Sequence, residues 1–371
     1  MILSNRNGLK NTRNMLRVFG GLNETYSCTE AEYSAGINFS ARNFPALSTR
    51  LPRRKLRETA ELNGMYHLNG LLMVCGTRLI YTPDDPDELE VTLENAVENQ
   101  ESMAATQAKF QFLTLENAVE DGKKTLVGIG TKILIFPDKL AFDTVSREVS
   151  ALGAVWSGAN ASVEFAPCDA EGRVYEVSGS GPSEPENPKD GQLFLRVEDP
   201  EKPWSSESTL EVYSEASGNW SAVVLDCCRI SAKGVGANFR AEDTVALSGS
   251  GAEQAGQWSG LDGDRIVCDA SEDALRVRAD PGGEWFYGRL TRTGAAVRWV
   301  SLDGSVRREF VSAETVRLER RVPDMDYLTE CDNRIWGCSS KENVIYACKL
   351  GDPTNWFSYR GIAADSYAVT V

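Results

Sequence analysis

Residues 66–81 read Tyr66-His67-Leu68-Asn69-Gly70-Leu71-Leu72-Met73-Val74-Cys75-Gly76-Thr77-Arg78-Leu79-Ile80-Tyr81. Asn-Gly between apolar runs is a strong hairpin signal, because both residues tolerate positive φ. Gly76-Thr77 separates two further apolar runs, the second of which ends in an aromatic residue. The stretch therefore predicts a small antiparallel sheet.

Two later stretches resemble the first. One has the turn Asp121-Gly122, followed by Lys123-Lys124-Thr125-Leu126-Val127-Gly128-Ile129-Gly130-Thr131-Lys132-Ile133-Leu134-Ile135-Phe136. The other runs from Tyr327 to Cys331, turns at Asp332-Asn333, and continues through Ser340 to the apolar run Asn343–Tyr346. Small sheets that recur every 40 to 55 residues or so, and that bury their faces only against neighbours, are typical of β-propeller blades. A set of unrelated hairpins is the alternative interpretation.

Three blades do not close a ring, since typical propellers have at least about four. The last residues, Ser366–Val371, alternate as a strand does. We therefore expect an all-β protein containing an incomplete or split β-propeller of three-stranded to four-stranded blades. On this interpretation the chain is a fragment, or its last sheet is completed by something outside this sequence.

The residues between the second and third stretches lack the blade pattern. Gly, Ser and Pro are concentrated there, above all in Gly179–Pro188, and short strand patterns lie on both sides of that segment. This composition predicts a long inserted region of small β-sandwich or barrel modules. The predicted organisation is a basic N-terminal arm (1–60), first propeller blades (61–149), inserted β modules (150–322) and a returning, truncated blade (323–371).

Charge is distributed unevenly along the 371 residues. The formal net charge is −15, yet residues 1–57 carry ten Lys or Arg against three Glu, a net of +7 that leaves −22 for the rest. The densest cations of this arm are Arg50, Arg53, Arg54, Lys55 and Arg57. Such an arm is suited to binding an acidic partner or nucleic acid. Sequence-specific nucleic-acid binding is not expected, because the acidic body repels the phosphate backbone. The alternative is a solvated arm that pairs with the protein's own acidic body.

The sequence predicts no enzyme site. A single histidine, His67, excludes two-histidine metal sites within one chain. The nine cysteines contain no CxxC pair and are expected to be reduced thiols. The cluster Asp262, Asp264 and Asp269 lacks the spacing of an EF-hand calcium loop. We therefore expect no catalytic, cofactor or metal-binding residues, and no apolar run is long enough for a membrane-spanning helix.

Two segments resemble a family of tailed-phage structural proteins from gut Firmicutes prophages. The arm segment Asn43–Arg53 is similar to the family's YPxLSPRxPR element, although Thr49 stands where proline is usual, and Phe19-Gly20-Gly21 also matches. The late segments Val322–Tyr327, Glu330–Ser340 and Ala347–Trp356 resemble the family's most constant block. The matching residues there include Asn333, Arg334, Trp336, Gly351, Asp352, Pro353 and Trp356. Below, these seven are called the motif residues.

Members of that family are described as packaged-DNA stabilisation or head-completion proteins, and the implied fold is similar to propeller-bearing tail hubs of short-tailed phages. The resemblance implies a non-enzymatic virion protein of the head-to-tail connector or tail hub, made in the bacterial cytoplasm. A homo-oligomeric ring in contact with the portal or adaptor and tail proteins is expected, with DNA passing nearby and no membrane contact. The alternatives are a receptor- or glycan-binding tail protein, which would use exposed Trp204, Trp220, Trp258 and Trp285, and a propeller glycosidase.

Overall fold

The fold of the chain is all-β, as the sequence predicts. The computed structural model describes residues 20–29, 31–40, 42, 48–50, 52, 55, 58–59, 61–95, 110–115, 119–159, 161–201, 208–251, 261–278 and 287–371. Every regular element among these residues is a β-strand, and none is a helix. No helix in the described part of the chain could cross a membrane.

The chain divides into two compact units, Met1–Thr59 and Ala60–Val371. The described strands of the first unit are β1 (Gly21–Leu22), β2 (Glu32–Tyr33), β3 (Phe39–Ser40) and β4 (Ser48–Thr49). β1 pairs with β2 in parallel, and β3 pairs with β4 antiparallel. Two-residue strands supply few ladder hydrogen bonds, so these sheets are minimal.

The second unit begins with two sheets. Sheet I contains β5 (Leu62–His67), β6 (Gly70–Cys75), β7 (Arg78–Pro83), β8 (Glu90–Asn95) and β9 (Phe110–Leu115). Its first four strands form an antiparallel meander, and β9 adds in parallel to β8. Sheet II is a four-stranded antiparallel meander of β10 (Thr125–Ile129), β11 (Lys132–Phe136), β12 (Leu140–Asp143) and β13 (Val149–Ala151).

A long segment then forms two further sheets. Its strands are β14 (Ala154–Ser157), β15 (Ser162–Cys168), β16 (Ser180–Gly181), β17 (Leu193–Arg196), β18 (Thr209–Ser214), β19 (Asn219–Ala222), β20 (Cys227–Ser231), β21 (Thr244–Ser248), β22 (Gly263–Ser271), β23 (Ala274–Arg278), β24 (Gly288–Thr293), β25 (Ala296–Ser301), β26 (Arg307–Val311) and β27 (Arg317–Arg320). β16–β19 form a small sheet, and the other ten strands form the large sheet, whose inward side chains surround one apolar core. The chain leaves and returns along paired strands, because β14 pairs with β27.

The last four strands form sheet III, a second four-stranded meander. They are β28 (Tyr327–Cys331), β29 (Arg334–Cys338), β30 (Val344–Ala347) and β31 (Tyr367–Thr370). Sheet III is about 180 residues from sheet II along the chain, yet the two share one core. That core includes Leu134 and Phe136 from sheet II, and Ile335, Cys348 and Trp356 from sheet III and the segment beside it.

Sheet II is covered on both faces. Ile133 and Ile135 of β11 pack with sheet I, in a core that also contains Leu72 and Tyr81. The alternate residues, Leu134 and Phe136, pack with sheet III. Since neighbouring side chains of a strand point to opposite faces, a strand buried on both faces must be apolar throughout. The run Ile133–Phe136 meets this requirement.

The first strands of the three meanders lie side by side, with β10 next to both β5 and β28. The approach between β5 and β10 is close. A Cβ added to Gly128 would lie 2.8 Å from the ring of Tyr66, and one added to Gly64 would lie 2.6 Å from Leu126. Glycine is therefore required where these strands meet.

The turns occupy different places in sheets I and II from those that the sequence comparison implied. Leu68 and Asn69 join the first and second strands of sheet I, with Gly70 as the first residue of the second strand, and Gly76-Thr77 joins its second and third. In sheet II, Gly130-Thr131 joins the first and second strands, and Asp121-Gly122 lies before the sheet. The Gly-Thr turn therefore follows the second strand in sheet I but the first strand in sheet II, although the turn residues are the same.

The Leu134 side chain, which has no exposed surface, offers a test of the packing between sheets II and III. We expect Leu134→Ala to lower the free energy of unfolding by about 2–5 kcal/mol, because it removes buried methyl groups and leaves a cavity. Val145→Ala, at a turn position 71 % exposed, is the control and should change it by less than about 0.5 kcal/mol. Urea unfolding measures both; equal effects would contradict the shared core.

Candidate interaction site

Four of the motif residues line a cleft between sheets II and III. The cleft has a volume of about 430 Å³ and is lined by Ile129, Gly130, Thr131, Lys132, Arg240, Asn333, Gly351, Asp352 and Pro353. The first four lining residues belong to the β10–β11 hairpin, Arg240 comes from the loop before β21, and the rest are motif residues from two segments. Residues from four parts of the chain thus meet at one place.

Backbone conformation brings two motif segments together. Asn333 lies in the β28–β29 turn with a φ of 58°, and Gly351 has a φ of 71°. The Gly351 N–H donates to the Asn333 carbonyl at 2.8 Å. Asn and Gly are the residues that adopt this left-handed conformation at least cost, which explains their presence at these two positions.

Asp352 is the acidic group of the cleft. It accepts hydrogen bonds from the backbone N–H and hydroxyl of Thr354, and it forms a 2.7 Å ion pair with Arg240. Burial opposes its ionisation, but the Thr354 hydrogen bonds and the Arg240 charge outweigh burial and hold its pKa below the ordinary value. Asp352 is therefore ionised at neutral pH and fixed to the loop that carries Arg240.

The same loop makes further contacts with the segment after β30. The Glu242 carbonyl accepts a 2.8 Å hydrogen bond from the Asn355 amide, and its carboxylate pairs with Arg360 at 2.7 Å. Asp243, whose side chain is 1 % exposed, pairs with Arg320 at 2.6 Å. Residues 240–243 therefore connect the large sheet to the segment beside sheet III, and we call them the connecting loop.

Arg334 and Trp356 make contacts that stabilise the fold. The Arg334 guanidinium donates to the carbonyls of Cys348, Asp365 and Ala363 at 2.6–2.7 Å. Trp356 is 1 % exposed in the core between sheets II and III, and its indole N–H donates to the Pro353 carbonyl at 2.8 Å. These two motif residues hold the segment 348–365 against sheet III and are not free to contact a partner.

Trp336, the remaining motif residue, points the other way. Its neighbour Ile335 is buried against sheet II, so alternation directs Trp336 to the opposite face of sheet III. There its ring stacks on Tyr367, with centroids 6.1 Å apart and planes 6° from parallel. The motif is thus divided among a cleft, a core and the face of sheet III that points away from sheet II.

The arm residues are described in part. Arg50 is exposed, and its backbone N–H donates to the Asn38 carbonyl at 2.7 Å. Lys55 forms an ion pair with Glu58. Arg53, Arg54 and Arg57 lie outside the described residues.

Sequence reasoning missed Lys132 and the connecting loop. Arg240 is 112 residues from Asp352, and no pattern in the sequence relates the two positions. Lys132 carried a weak signal, since it follows the Gly130-Thr131 turn as a basic residue follows the corresponding turns in the other two stretches. The described residues contain no group of His, Cys, Asp or Glu arranged to hold a metal ion.

Comparison of the sequence with protein-family models and with curated proteins gives no match.

The Arg320–Asp243 pair tests the role of the connecting loop. We expect Arg320→Met to lower the free energy of unfolding by about 3 kcal/mol, because it leaves the Asp243 carboxylate buried without its nearest counter-ion. Arg317→Met, in the same strand, removes an arginine that is 49 % exposed and should cost less than about 1 kcal/mol. Chemical unfolding of both variants measures the difference; similar losses would argue against a structural role for this pair.

Asp352 predicts a pH dependence. Its folded-state pKa lies below the ordinary value of 3.8, so its ionised form stabilises the fold above that pH, and the contribution is lost as the pH falls through the folded-state pKa. We expect Asp352→Asn to cost roughly 1–2 kcal/mol at pH 7, through weaker hydrogen bonding, and less as the pH falls below about 4. Urea unfolding between pH 7 and pH 3 measures this change; a constant difference would contradict it.

Proposed function

We propose that this protein is a non-enzymatic structural component of a phage virion, at the head-to-tail connector or tail hub. The observation that carries the proposal is the stack of sheets I, II and III, whose first strands lie side by side and whose facing surfaces form continuous apolar cores. Consecutive blades of a β-propeller are arranged in this way. On this proposal the three sheets are blades of an incomplete or split propeller, and the large and small sheets are the inserted modules.

The surroundings of the motif residues support a structural role. Arg334, Asp352 and Trp356 are engaged with backbone carbonyls, an ion pair and a core, respectively. In each case the side chain fixes one part of the fold against another. Such a stabilising role accounts for these residues without assigning a catalytic group among them.

The charge distribution supports a place beside DNA. Residues beyond the arm carry a net charge of −22, and an acidic lumen repels phosphate and lets DNA pass without sequence-specific binding. The arm, at +7, is suited to an acidic neighbour such as the portal, an adaptor or another copy in a homo-oligomeric ring. The protein would be made in the bacterial cytoplasm and reside in the virion, with no membrane contact.

Glycan recognition gains no support from the tryptophans. Trp220 packs against Phe194 and Tyr213, with ring centroids 5.9 and 5.4 Å away. Trp204, Trp258 and Trp285 lie outside the described residues. The described part of the inserted region therefore presents no exposed cluster of tryptophans.

Negative-stain imaging of the chain mixed with the portal ring from the same genome tests the proposal. We expect added density on the portal with the portal's symmetry. The chain alone and the portal alone are the controls. Portal rings that remain bare at saturating chain would contradict the connector assignment.

The arm provides a second test. We expect replacement of Arg53, Arg54, Lys55 and Arg57 by Ser to weaken portal binding at least tenfold, because it removes four of the cations that face an acidic partner. The matched control replaces Lys123, Lys233, Arg307 and Lys341, all exposed, by Ser, so that the net charge changes equally. Co-sedimentation at two salt concentrations measures both. Equal binding by the two variants would reject a role for the arm.

A further inference from the structure

The cleft between sheets II and III contains polar atoms that pair with no other residue in the described part of the chain. They belong to the ammonium of Lys132, the guanidinium of Arg240 and the side-chain amide of Asn333, all of which line the cleft. A single unpaired donor at a protein surface is solvated and needs no explanation. Several that line one cleft are typical of a ligand-binding site.

Lys132 lies on the sheet II side of the cleft. It begins β11 and shares a face with Leu134, which packs with sheet III. Asp143 lies opposite Lys132 in β12, but both oxygens of that carboxylate are engaged, by the Thr131 hydroxyl and by two backbone N–H groups of the β12–β13 turn. The Lys132 ammonium itself forms no hydrogen bond or ion pair with a described residue.

Arg240 uses only part of its guanidinium within the fold. Its Nη2 donates to the Asp352 carboxylate at 2.7 Å and to the Thr354 hydroxyl at 2.6 Å, and its Nε lies 3.4 Å from the Asp243 carboxylate. Nη1 has no such partner among the described residues, and 55 % of the side chain is exposed. The guanidinium is therefore held in place and still has two unpaired N–H donors.

Asn333 provides a donor on the sheet III side of the cleft. A Cβ added to Gly351 would lie 3.2 Å from Asn333 Nδ2, so the missing side chain of Gly351 makes room for the amide. Within the described part of the chain, the Asn333 amide has neither a donor nor an acceptor partner. The cleft thus has unpaired donors on both of its sides.

Charge indicates which class of ligand suits the cleft. The lining residues carry two cations, Lys132 and Arg240, and one carboxylate, Asp352, so their net charge is +1. Asp352 pairs with Arg240, which leaves Lys132 as the cation without a counter-ion. A ligand carboxylate would supply that counter-ion through charge-assisted hydrogen bonds. A phosphate ester carries nearly two negative charges, and the second would remain unpaired beside Asp352 and Asp143.

The remaining walls suit a short aliphatic stem. Ile129 and Pro353 are apolar, largely buried residues that line the cleft. The cleft volume of about 430 Å³ lies within the range of about 300–1,000 Å³ that is typical of small-molecule sites. A carboxylate on a short aliphatic stem, as in propionate or a glutamate side chain, matches these walls and donors.

We propose that this cleft is a binding site for a monocarboxylate. Lys132 and the Nη1 group of Arg240 hold the carboxylate, and the Asn333 amide donates a further hydrogen bond to it. Only one charge of the cleft lacks a counter-ion, and the chain as a whole has a net charge of −15, so the affinity is modest. A dissociation constant of about 1–10 mM is expected. The proposal does not depend on the virion role.

Titration of the isotope-labelled chain, followed by NMR of the backbone amides, tests this site. The probe is glutamate with acetyl and methylamide caps, and capped glutamine is its neutral match. We expect capped glutamate to shift the signals of Gly130 and Gly351 saturably and to leave that of Gly294, in the β24–β25 turn, unchanged. Capped glutamine should produce no saturable shift, and inorganic phosphate should bind more weakly than capped glutamate.

Free propionate distinguishes the two sources of such a carboxylate. Propionate that binds at least as tightly as capped glutamate assigns the site to a small free acid, because the peptide caps then contribute nothing. Tighter binding of capped glutamate assigns it to an acidic side chain of a partner chain. Both results support a carboxylate site.

Two variants locate the ligand, and each has a matched control. Lys132→Met should weaken binding of capped glutamate about tenfold, whereas Lys123→Met, at an exposed lysine before β10, should bind as the parent chain does. Asn333→Gly leaves a backbone with a φ of 58° unstrained and should weaken binding about threefold. Its control is Asn187→Gly, at an exposed position with the same φ.

Thermal unfolding of each variant shows whether it folds, and titration of the parent chain tests the proposal without any variant. The absence of a saturable shift at Gly130 and Gly351 up to about 50 mM capped glutamate overturns the site. Equal binding of capped glutamine, tighter binding of phosphate, or parent-like binding by Lys132→Met also overturns it. A chain that binds the portal but no carboxylate would reject this site and leave the connector proposal standing.

Discussion

Burial of sheet II on both faces is the constraint on which the rest of the second unit depends. Ile133 and Ile135 pack with sheet I, while Leu134 and Phe136 pack with sheet III. A sheet in this position accommodates a charged side chain only where that charge is paired with an opposite one. Lys124 and Asp138 meet that condition at the margin of sheet II, since their side chains are 1 % and 2 % exposed and 2.8 Å apart. Just before β10, the Lys124 backbone N–H also donates a hydrogen bond to the carbonyl of Asn63 in β5. This bond joins sheets I and II.

The same constraint explains how sheets II and III pack together although a long segment of the chain lies between them in sequence. The segment leaves after Leu152 and returns before Val322, and both residues belong to the core that sheets II and III share. Between them, Ala154 pairs with Arg320 across β14 and β27. The two ends of the segment are thus adjacent, so the segment leaves no gap between sheets II and III. The connecting loop adds a second attachment between the large sheet and the segment beside sheet III, through Glu242 and Asp243.

The all-β class and the positions of three small sheets were accessible from sequence, because turn residues and apolar runs are local signals. The order of turns within sheets I and II was not, since Gly-Thr followed by a basic residue fits either of two hairpins in a meander. The motif shows a second limit. Trp336 and Trp356 are the same residue type in neighbouring segments, yet Trp336 stacks on Tyr367 on the face of sheet III away from sheet II, whereas Trp356 lies in the core between the two sheets. The Arg240–Asp352 pair was inaccessible because its members are far apart in the chain.

Several arginines of the second unit are buried, so its accessible positive charge is reduced relative to that of the arm. Arg265, Arg292, Arg320 and Arg334 are at most 9 % exposed, and each donates hydrogen bonds to backbone carbonyls. A guanidinium that is surrounded by carbonyls satisfies backbone acceptors and is not available to pair with a carboxylate of a partner. The second unit therefore presents fewer accessible cations than its composition indicates. The arm, with ten cations among residues 1–57, is then the part of the chain best able to attract an acidic partner over a distance.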